Sequence, residues 1–177
     1  MLGRNLSGGF AGAVDELDVD APGRLRATCT ALLIAIGVAA PAAQATPRHP
    51  TKIESQTLRL INEARTDRGL KPVRLDLRLW RAARQHTGDM LRRGYFAHGA
   101  TTTRLSRYVR GGVVGETLAW GSGPYRTPAS TVQSWLDSPP HRALLLDPDF
   151  RYVGIGSRGG AFQGQHWARV YTADFRG

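Results

Sequence analysis

The stretch TVQSWLDSPPHRALLLDPDFRYVGIGS, residues 131–157, passes from helical to strand periodicity and decides the fold class. Val132, Trp135 and Leu136 recur at helical spacing, and Thr127-Pro128 supplies an N-cap followed by proline at the first helical position. Pro139-Pro140 ends this helix, because a residue before proline is driven out of helical geometry and the chain must turn at Ser138. His141 follows at that rigid corner, Arg142 to Leu146 pack or solvate locally, and Asp147-Pro148 makes the next turn. YVGIGS then alternates as a strand, RGG at 158–160 offers glycines for a turn, and HWARVYTADF at 166–175 returns as a second strand.

Working upstream, VVGETLAWG at 113–121 is an apolar island, a short strand near 114–120 or the wall of a cleft. The rest of the segment from Gly94 to Thr127 has no sustained helical period. Before it, Asp76 is an N-cap and Leu79, Ala83, His86 and Met90 fall on one helical face that ends at Gly94. His86 therefore points inward, where a histidine hydrogen-bonded to backbone is an ordinary core residue. Ile53, Leu58, Ile61 and Ala64 mark a first helix from about Lys52 to Arg68, stopped by Gly69. Three helices, a hairpin and one further strand make an α+β domain. The Gly154-Ile155-Gly156-Ser157-Arg158-Gly159 match to GxGxxG leads into a strand, so no helix N-terminus waits there for a pyrophosphate.

The first 45 residues read as a leader. Arg24 and Arg26 precede an apolar run from Ala31 to Ala40, and Ala43-Gln44-Ala45 is a small-residue cleavage signature. The apolar run is shorter than the roughly 20 residues a membrane helix needs, so no transmembrane anchor is expected. Residues 1–23, acidic and glycine-rich, make an unusually long start, consistent with a true start downstream of Met1. A short tether at 46–54, polar over TPRHPT, leads to a domain at 55–177. Cys29, the single cysteine, leaves with the leader, so the expected secreted chain has no disulfide. That loss leaves 21 of 24 basic and 10 of 14 acidic residues, about +11 net. Such a charge favours an anionic envelope component or lipid. The arginines are spread over every segment rather than gathered with aromatics in one stripe, which argues against specific nucleic-acid binding.

His98, Glu116 and His141 stand apart as polar residues in apolar or glycine-rich contexts. Two imidazoles and a carboxylate can hold a divalent metal such as zinc, or place a water for general base catalysis. The three are far apart in the chain, and neither HExxH nor a cysteine pair supports them.

Taken in order, LINEARTDRGLKPVRLDLRLWRAARQHTGDMLRRGYFAHGA (60–100), GETLAWG (115–121), the stretch quoted first and HWARVYTADF resemble the CAP superfamily in its bacterial SCP-like branch. That superfamily takes in cysteine-rich secretory proteins, venom antigen 5 and plant pathogenesis-related proteins. The resemblance covers about residues 55–175. It implies an α-β-α sandwich with a central antiparallel sheet between helical layers, and a cleft lined by two histidines and two glutamates. His98 matches the first histidine, Glu116 the glutamate of a Gly-Glu-Asn block in which Thr117 replaces asparagine, and His141 the second histidine. The second glutamate should fall near Ser138, with Asp137 beside it; this departure weakens any mechanism that needs two carboxylates.

Two functions remain open on this reading. One is a secreted, monomeric binding module for a lipid or wall polymer, with or without a metal at His98, His141 and Glu116. The other is a hydrolase, peptidase-like, in which the histidines hold metal or water and Glu116 is the base. No cysteine and no GxSxG elbow supplies a nucleophile for the second.

Overall fold

The computed structural model describes residues 49–177. The leader, its cleavage after Ala45, Cys29 and the first residues of the tether lie outside them. Five helices, α1 (Lys52–Thr66), α2 (Leu77–Arg93), α3 (Thr101–Leu105), α4 (Pro128–Asp137) and α5 (Pro139–Leu145), join four strands, β1 (Arg74–Leu75), β2 (Val114–Ser122), β3 (Tyr152–Phe162) and β4 (Gln165–Arg176). No helix among the described residues is long and apolar enough to cross a membrane.

Local chemistry sets the helix ends. Thr51 and Glu54 form a reciprocal capping box at α1, so helix begins at Lys52, inside the expected tether. Asp76 accepts from the Arg78 and Leu79 amides at the start of α2, and Gly94 closes that helix in the left-handed region at φ 69°.

The strand order is β1-β3-β4-β2, which leaves β2 at an edge. The β3–β4 and β4–β2 pairs are antiparallel, as the resemblance implies, while the two-residue β1 joins β3 in parallel. Alternation sends Val153, Ile155, Tyr171, Ala173 and Phe175 to one face, where they pack with Ile61 of α1, Val132 and Trp135 of α4 and Leu145 of α5. The other face carries α2 and α3: Leu79, Ala82 and Leu105 form one cluster there, Met90, Phe162 and Val170 another.

The glycines of the discarded nucleotide motif explain how close α2 lies to the sheet. A Cβ at Gly154 would sit 2.1 Å from the Leu79–Trp80 peptide, and one at Gly156 would sit 2.4 Å from Ala83 backbone. Both positions admit only hydrogen, and the helix backbone rests on them. Thr87 of α2 then reaches Thr172 of β4 through a 2.8 Å hydrogen bond.

Two local expectations are corrected. The hairpin does not turn at Arg158–Gly160; β3 continues through it, and the turn falls at Gln163-Gly164, both at positive φ (48° and 76°), the geometry a two-residue hairpin needs. Pro139-Pro140 ends α4 but also starts α5, since two prolines in the first turn give up amides that have no intrahelical partner anyway. The turn beyond is held from outside. The buried Arg65 side chain donates to the carbonyls of Leu145, Asp147 and Phe150, fixing α5 and the Asp147-Pro148 corner to α1.

Candidate functional site

Glu116 of β2 pairs with Asp174 of β4, which sets two carboxylates side by side on the α2/α3 face. Both are buried, at 1% and 0% exposure. Like charges so placed repel, and Arg104 of α3 answers them. Its Nη1 and Nη2 donate to the two Asp174 oxygens at 2.8 Å each, and Nη2 also donates to Glu116 Oε2. A planar guanidinium suits this fork because it offers several donors in one plane.

The other Glu116 oxygen is also engaged. His98 Nδ1 lies 2.9 Å from Oε1, and Thr101 Oγ1, at the start of α3, donates to the same atom at 2.9 Å. Gly99 at φ 64° lets the chain turn between His98 and α3. The loop is pinned from beneath, where His86 Nε2 donates to the Ala97 carbonyl at 3.1 Å. His86 Nε2 is 3.7 Å from Glu116 Oε2, too long for a direct hydrogen bond.

Electrostatics follow from burial. Burial lowers the His86 pKa to about 4, helped by the nearby charge of Arg104, so this imidazole is neutral near pH 7. Burial also raises Glu116, against the opposing charge of Arg104. It raises Asp174 to about 7, with Glu116 adding repulsion while Arg104 pulls the other way. Arg104 itself loses solvation, but its bonds and charge contacts with Asp174, and the Glu116 charge, hold its pKa above the ordinary value.

His141 comes from α5, in the opposite helical layer. Burial lowers its pKa, and the charge of His98 lowers it further. Ser138 is the half-buried junction between α4 and α5 and makes no side-chain cap. Asp137 is exposed and accepts from Gln133 Nε2 at 2.8 Å. Thr117, paired with Ala173, is buried on the sheet face opposite Glu116, and its Oγ1 lacks a hydrogen-bond partner. The structure thus joins His98 to Glu116 directly, while His141, Ser138, Asp137 and Thr117 take no part in that hydrogen-bond network.

Arg104, Asp174 and Thr101 were missed from sequence. Asp174 carried a signal, being an acid at a position that alternation buries. Arg104 and Thr101, in a Thr- and Arg-rich run, carried none.

Above this network lies an open cleft of about 380 Å³ between α2 and α3. Arg92, Arg104, Arg107, His86 and His98 line it, with Asp89 as its one carboxylate. Tyr95 and Tyr108 form further walls, and Tyr95 Oη donates to Asp89 at 2.9 Å.

A divalent ion at Glu116 would meet a guanidinium already bonded to Oε2. Among the described residues no group of three or more His, Cys, Asp or Glu side chains converges to hold a metal. As placed, the donor set does not fit such an ion.

The profile of the Cysteine-rich secretory protein family matches residues 58–175. The chain belongs to this family. Among relatives, the uncharacterized protein YkwD of Bacillus subtilis is 31% identical over 116 residues, 62% of this chain and 44% of its own length. The uncharacterized membrane protein YlbC of the same bacterium is 32% identical over 112 residues, 60% of this chain and 32% of its own. The chain therefore spans less than half the length of either relative. The crystal structure of an extracellular protein containing a SCP domain, from Bacillus anthracis, superimposes with TM-score 0.57 at 26% identity, covering 74% of this chain and 44% of that one. An outer surface protein of Borrelia burgdorferi shares the fold at TM-score 0.58 and 19% identity, covering 73% and 98%. This member of the family has no cysteine among its described residues, so packing and buried ion pairs hold the sandwich together.

Proposed function

We propose that this domain is an extracellular binding module whose α2/α3 cleft takes the acidic groups of an anionic envelope polymer. The observation that carries the reading is the cleft lining: three guanidiniums and two imidazoles face one carboxylate. Arg92 is paired with Asp89 at 3.0 Å and Arg104 is committed to Glu116 and Asp174, but Arg107 makes no ion pair among the described residues. An incoming phosphate or carboxylate finds in it a free donor on an already positive wall. The volume is at the small end of ligand sites, which suits a repeating headgroup rather than a whole lipid chain. The extracellular Bacillus anthracis relative supports the compartment.

Calorimetric titration with polyglycerol phosphate tests the proposal. Binding should weaken by roughly tenfold in Arg107→Ala and should weaken with added salt. Equal affinity in Arg107→Ala, or no binding by the wild type, refutes it.

A second reading has its own observation. Because Glu116 holds His98 through Nδ1, the other ring nitrogen remains to act as a general base at the cleft. Both oxygens of Glu116 are engaged, so in a hydrolase it would orient the base rather than serve as one. Peptide and ester hydrolysis abolished in both His98→Ala and Glu116→Gln would favour this reading; turnover unchanged in either removes it.

A further inference from the structure

Among the described residues, four of the six large apolar side chains left exposed gather at one end of the sheet: Phe96 (40%), Trp120 (38%), Tyr125 (73%) and Trp167 (76%). Several contacts place them together. The Trp120 ring meets Phe162 edge-on at 5.6 Å, and Phe96 meets Phe162 at 6.5 Å. Gln163, in the hairpin turn, donates to the Gly94 carbonyl at 2.9 Å, which brings the end of α2 to the same place. Trp167 adjoins Ala168, which pairs with Ser122 at the end of β2 and with Gly160 of β3. The Tyr125 backbone rests against Gly121, where a Cβ would lie 2.3 Å from its carbonyl oxygen.

This end is also basic. Arg92 and Arg93, 70% and 73% exposed, share Asp89 on the last turns of α2, and the exposed Arg126 follows Tyr125. Two guanidiniums against one carboxylate, with a third nearby, leave a net positive rim. The chain as a whole carries +10.

The arrangement of the rings selects the partner. Trp120 shares a sheet face with its pair Val170, whereas Trp167 alternates to the opposite face. A glycan strand laid along one face would reach one ring or the other. A surface met end-on, perpendicular to the strands, touches both faces at once. Indole and phenol rings settle at the boundary between lipid headgroups and acyl chains, where one edge is apolar and the other wet, and arginines beside them are drawn to anionic headgroups.

We propose that this end of the sandwich docks end-on to an anionic lipid bilayer, seating Trp167, Tyr125, Trp120 and Phe96 at its interface. The proposal is independent of the cleft reading, since apart from Arg92 the residues that carry it do not line the cleft.

The test is partition of the purified protein onto phosphatidylglycerol vesicles, read by sedimentation and by tryptophan emission. Trp80 and Trp135 are buried, at 2% and 1%, so a blue shift reports on Trp120 and Trp167. The wild type should bind with a blue shift quenched by brominated acyl chains, and a fraction should stay bound at about 0.5 M salt, where exposed charges are screened. The Tyr125→Ala/Trp167→Ala double variant should lose roughly tenfold or more in partition. Leu77→Ala, exposed at another place in the fold, should not. Because Tyr125 and Trp167 are mostly exposed and Leu77 is 41% exposed, unchanged circular dichroism is expected of both variants. Equal partition of the double variant and wild type overturns the proposal. So does vesicle binding that salt removes completely with no emission shift, which would be adsorption by charge alone. An emission shift produced by a neutral glycan and not by vesicles overturns it in favour of a carbohydrate partner.

Discussion

Replacing Arg104 by methionine isolates the interaction on which the site depends. The guanidinium is 18% exposed and sits between carboxylates that are 1% and 0% exposed. Without it, two adjacent acids remain buried with no cation between them. Removing one partner of a buried ion pair costs about 3–5 kcal/mol when the other stays charged, a large share of the roughly 5–15 kcal/mol that holds a domain folded. The cost should depend on pH in a definite direction. Glu116 and Asp174 already have raised pKa values in the folded chain, and loss of Arg104 raises them further. The penalty is therefore larger at pH 8, and is relieved as falling pH protonates the two acids in the folded state. At pH 5 the loss should be smaller, falling toward the about 1–2 kcal/mol of the lost hydrogen bonds alone. Urea unfolding of wild type and Arg104→Met at both pH values measures this, and the Arg104→Met/Asp174→Asn double variant should recover part of the pH 8 loss. A loss below about 1 kcal/mol at pH 8, or one equal at the two pH values, refutes the reasoning.

Other predictions rest on separate features. Gly156→Ala should destabilise the domain by more than about 2 kcal/mol, because its Cβ would lie 2.4 Å from Ala83 backbone; thermal unfolding checks it. His86, lowered from 6.5 to about 4, binds fewer protons folded than unfolded between those values, so its contribution to stability falls as pH drops through that window. His86→Gln keeps a donor for the Ala97 carbonyl without the titration. Its unfolding free energy relative to wild type should improve by up to about 3 kcal/mol from pH 7 to pH 4. Glu54→Gln should cost about 3–5 kcal/mol, since Glu54 is buried and holds Arg84 at 2.6 Å while also accepting from Trp80 and Ser157; a cost near zero would show that the pair is dispensable.

Much of the architecture was legible from local chemistry. Asp76 and Gly94 mark the ends of α2, Thr127-Pro128 starts α4, and alternation from Tyr152 marks β3. The hairpin turn was misplaced because glycines signal both turns and close packing. Gly159 and Gly160 lie within β3, and the true turn, Gln163-Gly164, begins at a non-glycine residue with positive φ. Helix α3 is five residues long, too short for periodicity to show it. Its residues Thr101 and Arg104 acquire their role only from β2 and β4 packed beneath them, a long-range pairing that no local pattern encodes. His98 and Glu116 stood out because each is a polar residue beside apolar or glycine neighbours, while Arg104, which bridges Glu116 and Asp174, is one arginine among many.

The most direct test of the cleft account is histidine-selective ¹⁵N NMR during titration with polyglycerol phosphate. The account predicts that the His98 and His86 ring resonances shift together with saturating polymer, while those of His166 and His49, both outside the cleft lining, stay in place. Shifts centred on His166 or His49, or spread evenly over all five histidines, would contradict it.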